Sequence, residues 1–313
     1  MRAALAVDAG QTEVRVALVG GGEGRQATAP GVLRMDGDGV GPETVAGALL
    51  GAVEKLGELP ALDGVGVGLS GFEIARAPDL EIVAAALAGP GDAPVAIATD
   101  GVTSLLGALG GEPGAVVAAG TGTVAMAHDG RRWAKVDGTG SLLGDAGSGF
   151  AIGRAGLDSA LRHLDGRGGS EALARAAQER FGPPAEIPER IARADPPVRA
   201  IAGFARDVAR VAAEEEDAAA RAILADAGSE LARSGCAALK RLFAPEAPAP
   251  LTTTGNVFAA GPALLDAFAA TVEQLRPGTT VAPAAGSSLD GAALLVREAD
   301  RLPAEPGALW RSA

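Results

Sequence analysis

Cysteine is almost absent from this sequence. Cys236 is the single one among 313 residues, which excludes a disulfide within the chain and a zinc site built from several cysteines. It lies in an apolar stretch with helical periodicity, so we expect it to be a small core residue. Histidine is scarce too. Neither His128 nor His163 lies in a motif, which argues against a histidine-dependent mechanism.

Positive charge is also in short supply. Lysine and arginine number 27 against 39 aspartates and glutamates, giving a net charge of −12. Nucleic acids and anionic membranes both select clustered positive charge, so we expect neither as a partner and expect a small molecule instead. The first apolar run is too short for a signal peptide, and no run approaches the roughly 18 residues of a membrane span, which predicts a cytoplasmic protein.

Aromatic residues make up only 3% of the chain, and tyrosine is missing. Hydrophobic residues still reach 48% and glycines number 46, so the core must consist of alanine, valine, leucine and isoleucine packed at short distances. A length of 313 residues exceeds that of a usual single domain and predicts two domains.

The hydrophobic pattern predicts an α/β domain that is then repeated. Residues 3–8 and 14–19 predict an opening β-hairpin, and a second hairpin pattern begins at 115–119 and 124–127. Between the hairpins, predicted strands alternate with predicted helices at 43–59, 64–69, 79–88, 94–98 and 100–109. We place the first domain at 1–109, joined by a C-terminal segment of about 298–313, and a larger second domain at 110–297.

Two long helices are predicted in the second domain, at 198–215 and 217–243, from apolar residues at helical spacing. The acidic residues between them are interpreted as a solvated helix end, with Asp217 as the N-cap of the second helix. The tail 303–313 contains two prolines and is expected to be loosely ordered.

Two common nucleotide-binding motifs are excluded. No lysine follows a glycine, so the phosphate-binding loop of P-loop enzymes is absent. Gly66-Val-Gly68-Leu-Ser70-Gly71 matches the dinucleotide pattern in form, but its first glycines belong to a predicted strand, whereas the dinucleotide fingerprint requires them in the turn after it.

Two turns carry the features of phosphate-binding sites. In Asp8-Ala-Gly10-Gln11-Thr12 the glycine permits a sharp turn, the threonine offers a hydroxyl, and Asp8 can hold Mg²⁺ directly or through water. Gly120-Thr121-Gly122-Thr123 repeats this arrangement at the second hairpin. The alternative is that both are ordinary glycine-rich hairpin turns.

Two further aspartates are candidates for chemistry. Asp100 follows the strand at 94–98 and begins a helix, where a carboxylate is well placed to accept a proton from a hydroxyl that attacks a γ-phosphoryl group. Asp145 follows Gly144 and precedes another helix. For both residues the alternative is an N-capping role.

As a set, the motifs resemble the N-acetylglucosamine kinase and BadF/BadG/BcrA/BcrD ATPase group of the hexokinase/actin-like ATPase superfamily. The resemblance extends over nearly the whole chain and rests on Asp8-Ala-Gly10-Gln11-Thr12, Gly68-Leu-Ser70-Gly71, Ala98-Thr99-Asp100, Gly120-Thr121-Gly122, Gly144-Asp145-Ala-Gly147-Ser148, Gly255-Asn256-Val257 and Gly286-Ser287-Ser288-Leu-Asp290-Gly291-Ala292.

The resemblance implies an α/β fold of two actin-like ATPase (ribonuclease H-like) domains with an interdomain cleft, and a homodimeric kinase that uses ATP and Mg²⁺. It implies that Asp100 is the catalytic base. It assigns ATP binding to Gly10, Gln11, Thr12, Gly120, Thr121, Gly122, Thr123, Gly255, Asn256 and Ser287. The sugar would meet Ser70, Asp100, Asp145 and the segment before it, which includes Asp137, Gly138 and Thr139.

Two departures from the family pattern bear on the substrate. Where N-acetylglucosamine kinases carry Gly-Gly-Trp-Gly, this chain has Asp137-Gly138-Thr139-Gly140, and Val124 replaces an asparagine. The sequence is similar to glucosamine kinases of actinobacteria, and a carboxylate near the 2-position would suit an ammonium group. We therefore predict phosphorylation of the 6-hydroxyl of D-glucosamine, with N-acetylglucosamine as the alternative substrate. Asp137 has an alternative role as the stabiliser of a glycine-rich turn.

Two other classes of function are weaker alternatives. A BadF-type activator ATPase needs a cysteine-bound iron–sulfur cluster, for which one cysteine per chain is too few. A sugar-responsive regulator would usually carry a helix-turn-helix, and the chain is expected to start directly at its first strand.

Overall fold

The computed structural model describes residues 3–10, 13–20, 24–31, 41–69, 77–89, 91–298, 302 and 309–312. In chain order the elements are β1 (Ala3–Ala9), β2 (Glu13–Val19), β3 (Arg25–Pro30), α1 (Pro42–Glu54), β4 (Leu62–Leu69), α2 (Ala77–Leu87), β5 (Val95–Thr99), α3 (Asp100–Leu109), β6 (Gly114–Ala119), β7 (Thr123–His128), β8 (Trp133–Asp137), α4 (Gly149–Leu164), α5 (Glu171–Phe181), α6 (Ile187–Ala192), α7 (Pro197–Gly203), α8 (Ala205–Glu214), α9 (Ala218–Leu242), β9 (Leu251–Thr254), α10 (Pro262–Leu275), β10 (Val281–Ala282), α11 (Ser288–Glu298) and β11 (Leu309–Arg311). Short 3₁₀ helices cover Pro184–Glu186 and Asn256–Ala259.

Packing divides the chain into two units. The first comprises Met1–Val116, Met126–Trp133 and Pro283–Ala313, and the second comprises Val117–Ala125 and Ala134–Ala282. Helix α11 belongs to the first unit because it packs against α3, β4 and β1. The returning segment thus begins at Pro283, which differs from the predicted border near residue 298.

The first unit is built on a mixed sheet. Within the described residues this sheet has six strands in the order β11-β5-β4-β1-β2-β3, and β1, β4 and β5 run parallel. The predicted opening hairpin is confirmed, with Asp8 opposite Arg15 in antiparallel register. Leu5 and Val7 pack in the cluster that includes α1 and α2, whereas Ala6 packs with α11. The sheet therefore lies between two helical layers, as the period of two along a buried strand requires.

The glycines of β4 allow two helices to approach this sheet very closely. A Cβ atom on Gly66 would lie 1.9 Å from the carbonyl oxygen of Ala292 in α11, and one on Gly68 would lie 2.3 Å from Oγ1 of Thr103 in α3. Both glycines lie inside the strand, as predicted. They serve close packing, so the formal match to the dinucleotide pattern carries no nucleotide function.

A second sheet has five strands among the described residues, in the order β10-β9-β6-β7-β8. The helices of the second unit include α9, which begins where predicted, since the Asp217 side chain accepts a 2.8 Å hydrogen bond from the backbone N–H of Ala220. The predicted single helix at 198–215 is wrong. It is interrupted at the buried Phe204, whose N–H bonds to the carbonyl of Ile201, three residues back, so α7 and α8 are separate.

The prediction of a loosely ordered tail is wrong for its last part. Residues Leu309–Arg311 form β11, antiparallel to β5, and residues 303–308 lie outside the described residues. The pairing satisfies an otherwise open sheet edge: Ser312 N–H donates to the carbonyl of Val95 at 2.9 Å, and Val95 N–H donates to Ser312 Oγ at 2.9 Å. In the described ranges, we find no helix with the length and apolarity needed to span a bilayer.

Candidate functional site

The carboxylate of Asp8 lies in a polar cluster at the end of β1. It is buried, and its Oδ2 accepts hydrogen bonds from Nε of Arg15 at 3.0 Å and from Oγ of Ser288 at 2.8 Å. The terminal nitrogen Nη2 of Arg15 also pairs with Asp8 and donates to Ser288 Oγ at 3.1 Å. Because the Arg15 side chain is 42% exposed, the cluster presents positive charge to solvent beside a buried negative charge.

The hairpin turn that follows Asp8 is described only in part. Gly10 N–H donates a 3.0 Å hydrogen bond to the carbonyl of Glu13, which closes the hairpin. The predicted ATP-binding residues Gln11 and Thr12, and the predicted sugar-binding residue Ser70, lie outside the described residues.

Ser287 and Ser288 precede and begin α11, and they have different partners. Ser287 exchanges hydrogen bonds with Asp290: its N–H donates to Asp290 Oδ2 at 2.7 Å, and Asp290 N–H donates to Ser287 Oγ at 3.3 Å. This is the arrangement of a capping box. Ser287 thus has a structural role in the start of α11, while its predicted ATP contact stays a prediction and Ser288 is the serine beside Asp8.

Asp100 is the first residue of α3, directly after β5. The structure places Thr99 at the N-cap, and the Thr99 side chain makes no capping hydrogen bond. Asp100 therefore stands one residue inside the helix, where its partly buried carboxylate is favoured by the helix dipole.

Asp8 and Asp100 belong to the same edge of the first sheet. Asp8 is in register with Gly68 of β4, and Gly68 is in register with Ala98 of β5, two residues before Asp100. Since β1, β4 and β5 are parallel, their carboxyl ends meet at one edge, about 10 Å apart across two strand spacings. Both candidate carboxylates therefore lie at the carboxyl edge of this sheet.

The turn at residues 120–123 lies in the second unit. Gly120 N–H donates to the carbonyl of Gly122 at 2.9 Å, and Thr121 is exposed. Thr123 is buried, and within the described part of the chain its Oγ1 has no hydrogen-bond partner.

The start of α4 holds this turn in place. Gly149 N–H donates to the carbonyl of Gly120 at 2.8 Å, and Phe150 N–H donates to that of Thr121 at 3.1 Å. The next amide, of Ala151, is capped by Ser148 Oγ at 3.1 Å. The first amides of α4 are therefore used by the protein itself, so this helix terminus is not a site for a phosphate.

Asp145 connects the turn to the loop after β8. It is buried, and its Oδ1 accepts a 3.2 Å hydrogen bond from the backbone N–H of Thr123. A Cβ atom on Gly122 would lie 2.8 Å from Asp145 Oδ2, so the glycine is needed for this approach. The N-cap of α4 is Ser148, so Asp145 does not occupy the N-cap position of this helix.

The carboxylate of Asp137 closes the loop from residue 137 to 146. Its Oδ1 accepts from the N–H groups of Gly138 at 2.8 Å and Asp145 at 2.7 Å, and its Oδ2 accepts from that of Ala146 at 2.9 Å. Both oxygens thus bond to backbone amides, which is the alternative turn-stabilising role. Thr139 lies in the same loop, and its Oγ1 leaves no space for a side chain at Gly144.

Gly255 and Asn256 lie next to the 120–123 turn. Gly255 has a φ of 98°, and a Cβ atom there would lie 2.2 Å from the carbonyl oxygen of Ala119, the residue before the turn. Asn256 follows as an exposed residue at the start of a 3₁₀ helix. The second unit therefore gathers three predicted elements: the 120–123 turn, the Gly255–Asn256 segment and the Asp137–Asp145 loop.

Acidic residues do not cluster as a preformed metal site. Among the residues that the structure describes, no group of three or more histidine, cysteine, aspartate or glutamate side chains is placed to hold a metal ion. Asp8, with Ser288 beside it, is a single hard oxygen donor group. That donor set fits Mg²⁺, which in phosphoryl-transfer sites takes one or two carboxylates, water and substrate phosphates.

Arg15 and Ser288 were not among the predicted site residues, although Ser288 lies in the Gly286–Ala292 motif. Arg15 could have been predicted, because counting outward from the hairpin turn along both strands places it opposite Asp8. Ser288 could not, because 280 residues separate it from Asp8 and no local pattern predicts their contact.

The sequence model of the BadF/BadG/BcrA/BcrD ATPase family matches residues 5–295. A search of curated protein sequences gave no match.

Several solved structures are similar over nearly the whole chain. A protein from Chromobacterium violaceum, provisionally named N-acetylglucosamine kinase, is 26% identical, with coverage of 95% of this chain and 99% of that chain and a TM-score of 0.71. A protein from Porphyromonas gingivalis with the same provisional name is 20% identical, with coverage of 96% and 100% and a TM-score of 0.68. A ROK family glucokinase from Streptomyces griseus, solved with glucose and AMPPNP, is 16% identical, with coverage of 95% and 100% and a TM-score of 0.59.

Proposed function

The chain belongs to the BadF/BadG/BcrA/BcrD ATPase family, and we propose on this basis that it is an ATP-dependent sugar kinase acting on N-acetylglucosamine. The family match and the similar structures confirm the expected α/β fold of the actin-like ATPases. The likeness to the Chromobacterium violaceum protein, over 95% of this chain, is the observation that carries the proposal.

The geometry of Asp137 removes the charge argument for glucosamine without itself selecting an N-acetylated sugar. Glucosamine was predicted from the resemblance to actinobacterial glucosamine kinases and because Asp137 offered a negative charge for an ammonium group. That carboxylate accepts three backbone hydrogen bonds, at 2.8, 2.7 and 2.9 Å, which account for both of its oxygens. These hydrogen bonds explain the aspartate at this position without a charged substrate. Glucosamine is therefore the competing substrate in the test below.

Asp100 would act as the general base. Its carboxylate takes the proton of the sugar 6-hydroxyl as that oxygen forms its bond to the γ-phosphorus, while the bond from the γ-phosphorus to the bridging oxygen breaks and ADP leaves. It lies directly after a parallel strand, as the first residue of α3, at the carboxyl edge of the first sheet.

The remaining residues would bind and neutralise the nucleotide. Arg15, half-exposed beside Asp8, offers a cation for phosphate oxygens. In the 120–123 turn the Gly120 and Thr123 amides are already donated within the protein, which leaves the N–H groups of Thr121 and Gly122 and the exposed Thr121 hydroxyl for a phosphate. Asp8 would hold Mg²⁺, directly or through water. An ion held there would offset the negative charge of the ATP phosphates. Gly255 and Asn256 would lie beside the adenosine.

The buried cysteine disfavours the iron–sulfur alternative. Burial raises the pKa of the Cys236 thiol, and the nearby charge of Arg276 offsets this only in part. A cluster ligand must be a thiolate, and a single buried thiol per chain is unsuited to that role. The homodimer and the cytoplasmic location stay predictions.

A coupled assay of ADP release tests the proposal. We expect sugar-dependent ADP release with the highest kcat/KM for N-acetylglucosamine, compared with glucosamine, glucose and mannosamine. The 6-deoxy analogue of N-acetylglucosamine should inhibit without being phosphorylated. Higher kcat/KM for glucosamine would overturn the acetylated substrate, and absence of any sugar-dependent turnover would overturn the kinase itself.

A further inference from the structure

Asp145 is held in an uncommon backbone conformation by contacts on two sides. Its φ is 61°, in the left-handed region that residues with a side chain rarely adopt. On one side its own N–H donates to Asp137 Oδ1 at 2.7 Å. On the other side its Oδ1 accepts from Thr123 N–H at 3.2 Å.

Asp137 supplies the first of these constraints with little freedom to move. It also has a φ of 61°, and its two carboxylate oxygens accept from three amides spread over residues 138 to 146. Gly144 passes so close that a Cβ atom would lie 2.4 Å from Asp137 Oδ1. The loop is therefore folded around this carboxylate.

The result is a continuous chain of hydrogen bonds within the second unit. It runs from the Asp137 carboxylate to the Asp145 amide, and from the Asp145 carboxylate to the Thr123 amide. The turn at 120–123 is also supported through its carbonyls at Gly120 and Thr121, which bond to the start of α4. A shift of Asp145 would therefore weaken or displace its hydrogen bond to the Thr123 amide.

We propose that Asp137 is a positioning residue that acts through Asp145 and couples sugar binding to nucleotide binding. The inference rests on the proposed function, in which Asp145 meets the sugar and the 120–123 turn meets the phosphates. A sugar that binds the Asp145 carboxylate acts on its hydrogen bond to the Thr123 amide, and through that bond on the turn that meets the nucleotide. By thermodynamic linkage the nucleotide must strengthen sugar binding by the same factor.

The chain offers a matched control for this role. Asp129 also closes a turn, by accepting hydrogen bonds from the N–H groups of Arg131 at 2.9 Å and Arg132 at 2.8 Å. It lies in the first unit, and both of these donors belong to the same hairpin between β7 and β8. Asp129→Asn therefore perturbs a turn-closing aspartate without touching the proposed relay.

The test is calorimetric titration of the full-length chain with AMPPNP, with and without saturating N-acetylglucosamine. In the wild type we expect the sugar to tighten AMPPNP binding about fivefold or more, within the usual range of coupling between sites. Asp137→Ala should reduce this ratio to within about twofold of unity. Asp137→Asn retains one acceptor oxygen but cannot accept from Ala146 N–H, so it should give an intermediate ratio. Asp129→Asn should keep the wild-type ratio.

The outcomes distinguish failure of the coupling from failure of the kinase proposal. If the Asp137 variants keep the wild-type ratio, or if sugar and AMPPNP bind independently in the wild type, the coupling is overturned while the kinase proposal stands. If no sugar binds to the wild type, the proposed function fails instead. A direct contact of Asp137 with an ammonium group predicts a different pattern, in which Asp137→Asn weakens glucosamine alone and leaves N-acetylglucosamine unchanged. Should Asp137→Ala fail to fold by circular dichroism, Asp137→Asn decides the matter.

Discussion

Gly66 and Ala292 approach so closely that a Cβ atom on the glycine would lie 1.9 Å from the alanine carbonyl oxygen. The contact joins the central strand β4 to helix α11, which comes from the far end of the chain. Because the obstructing atom belongs to the backbone of a buried helix, it cannot move aside as a flexible side chain would. The returning segment can thus pack on the first sheet only because residue 66 has no side chain.

Gly66→Ala should therefore destabilise the protein. We expect a loss of about 1–3 kcal/mol or more, the range for forcing extra atoms into a packed core. Gly47→Ala is the control, because Gly47 lies in the exposed face of α1 with nothing within 4 Å of an added Cβ. That change should stabilise by about 0.5–1 kcal/mol through helix propensity. Urea unfolding compares the midpoints, and equal midpoints for Gly66→Ala and wild type would refute the packing argument.

What the sequence predicted well depended on local patterns. The opening hairpin follows from alternating β-prone residues around Gly10, and the N-cap at Asp217 follows from an acidic residue directly before a helical pattern. The place of Asp100 directly after strand β5 and at the start of α3 follows from the short apolar run that ends just before it. Each of these depends on residues close to one another in the chain.

What the sequence could not predict depended on distant contacts. The strand β11 forms because residues 95 and 312 meet across 217 positions, and nothing in the Pro-containing tail indicates a partner. The break at Phe204 is not visible in the apolar spacing, which continues through it. For Asp137 the residue types permitted both a charge partner for the substrate and a turn stabiliser, and only the three amides around it favour the second.

Asp100→Asn tests the base assigned to the proposed reaction. We expect kcat to fall by roughly 10²–10⁴ while binding of ATP and sugar stays within about tenfold, since the amide keeps the shape but cannot take a proton. Asp79→Asn is the matched control, because Asp79 also lies in the first turn of a helix, α2. Steady-state kinetics compares kcat of the two variants. Near-normal turnover of Asp100→Asn would show that Asp100 is not the base.

Thr121→Val tests the phosphate turn with little structural disturbance. Thr121 is exposed, and its backbone carbonyl, which bonds to Phe150, is unaffected by the change. We expect the KM for ATP to rise several-fold more than the KM for the sugar, because one hydroxyl donor is lost. Gly122→Val serves as a contrast, because its new Cβ would lie 2.8 Å from Asp145 Oδ2. We expect its stability to fall and its KM values for ATP and for the sugar both to rise. An unchanged KM for ATP in Thr121→Val would indicate a purely structural hairpin.

His128 should make the stability of the protein depend on pH. It is buried beside Trp133, with ring centroids 5.2 Å apart, and its Nε2 donates to the carbonyl of Glu112 at 2.8 Å, since a carbonyl can only accept. Its Nδ1 is buried and has no hydrogen-bond partner among the described residues, so a proton there would be unsatisfied. Burial lowers the pKa of His128, and the opposing effects of the Glu112 carbonyl and of the Asp129 and Glu112 charges are smaller.

The direction in which stability changes with pH follows from this lowered pKa. Above the unfolded-state pKa, about 6.5, both states are neutral at this position and the full stability is present. As pH falls below that value the unfolded chain binds a proton that the folded protein resists, so stability is lost at up to about 1.4 kcal/mol per pH unit until the folded-state pKa is passed. His128→Gln keeps an N–H donor for Glu112 but cannot titrate. Urea unfolding between pH 7.5 and 5 should therefore show a smaller loss of stability in His128→Gln than in the wild type or in His163→Gln, the variant that removes the only other histidine. The same slope in all three proteins would show that His128 binds its proton equally in the folded and unfolded states.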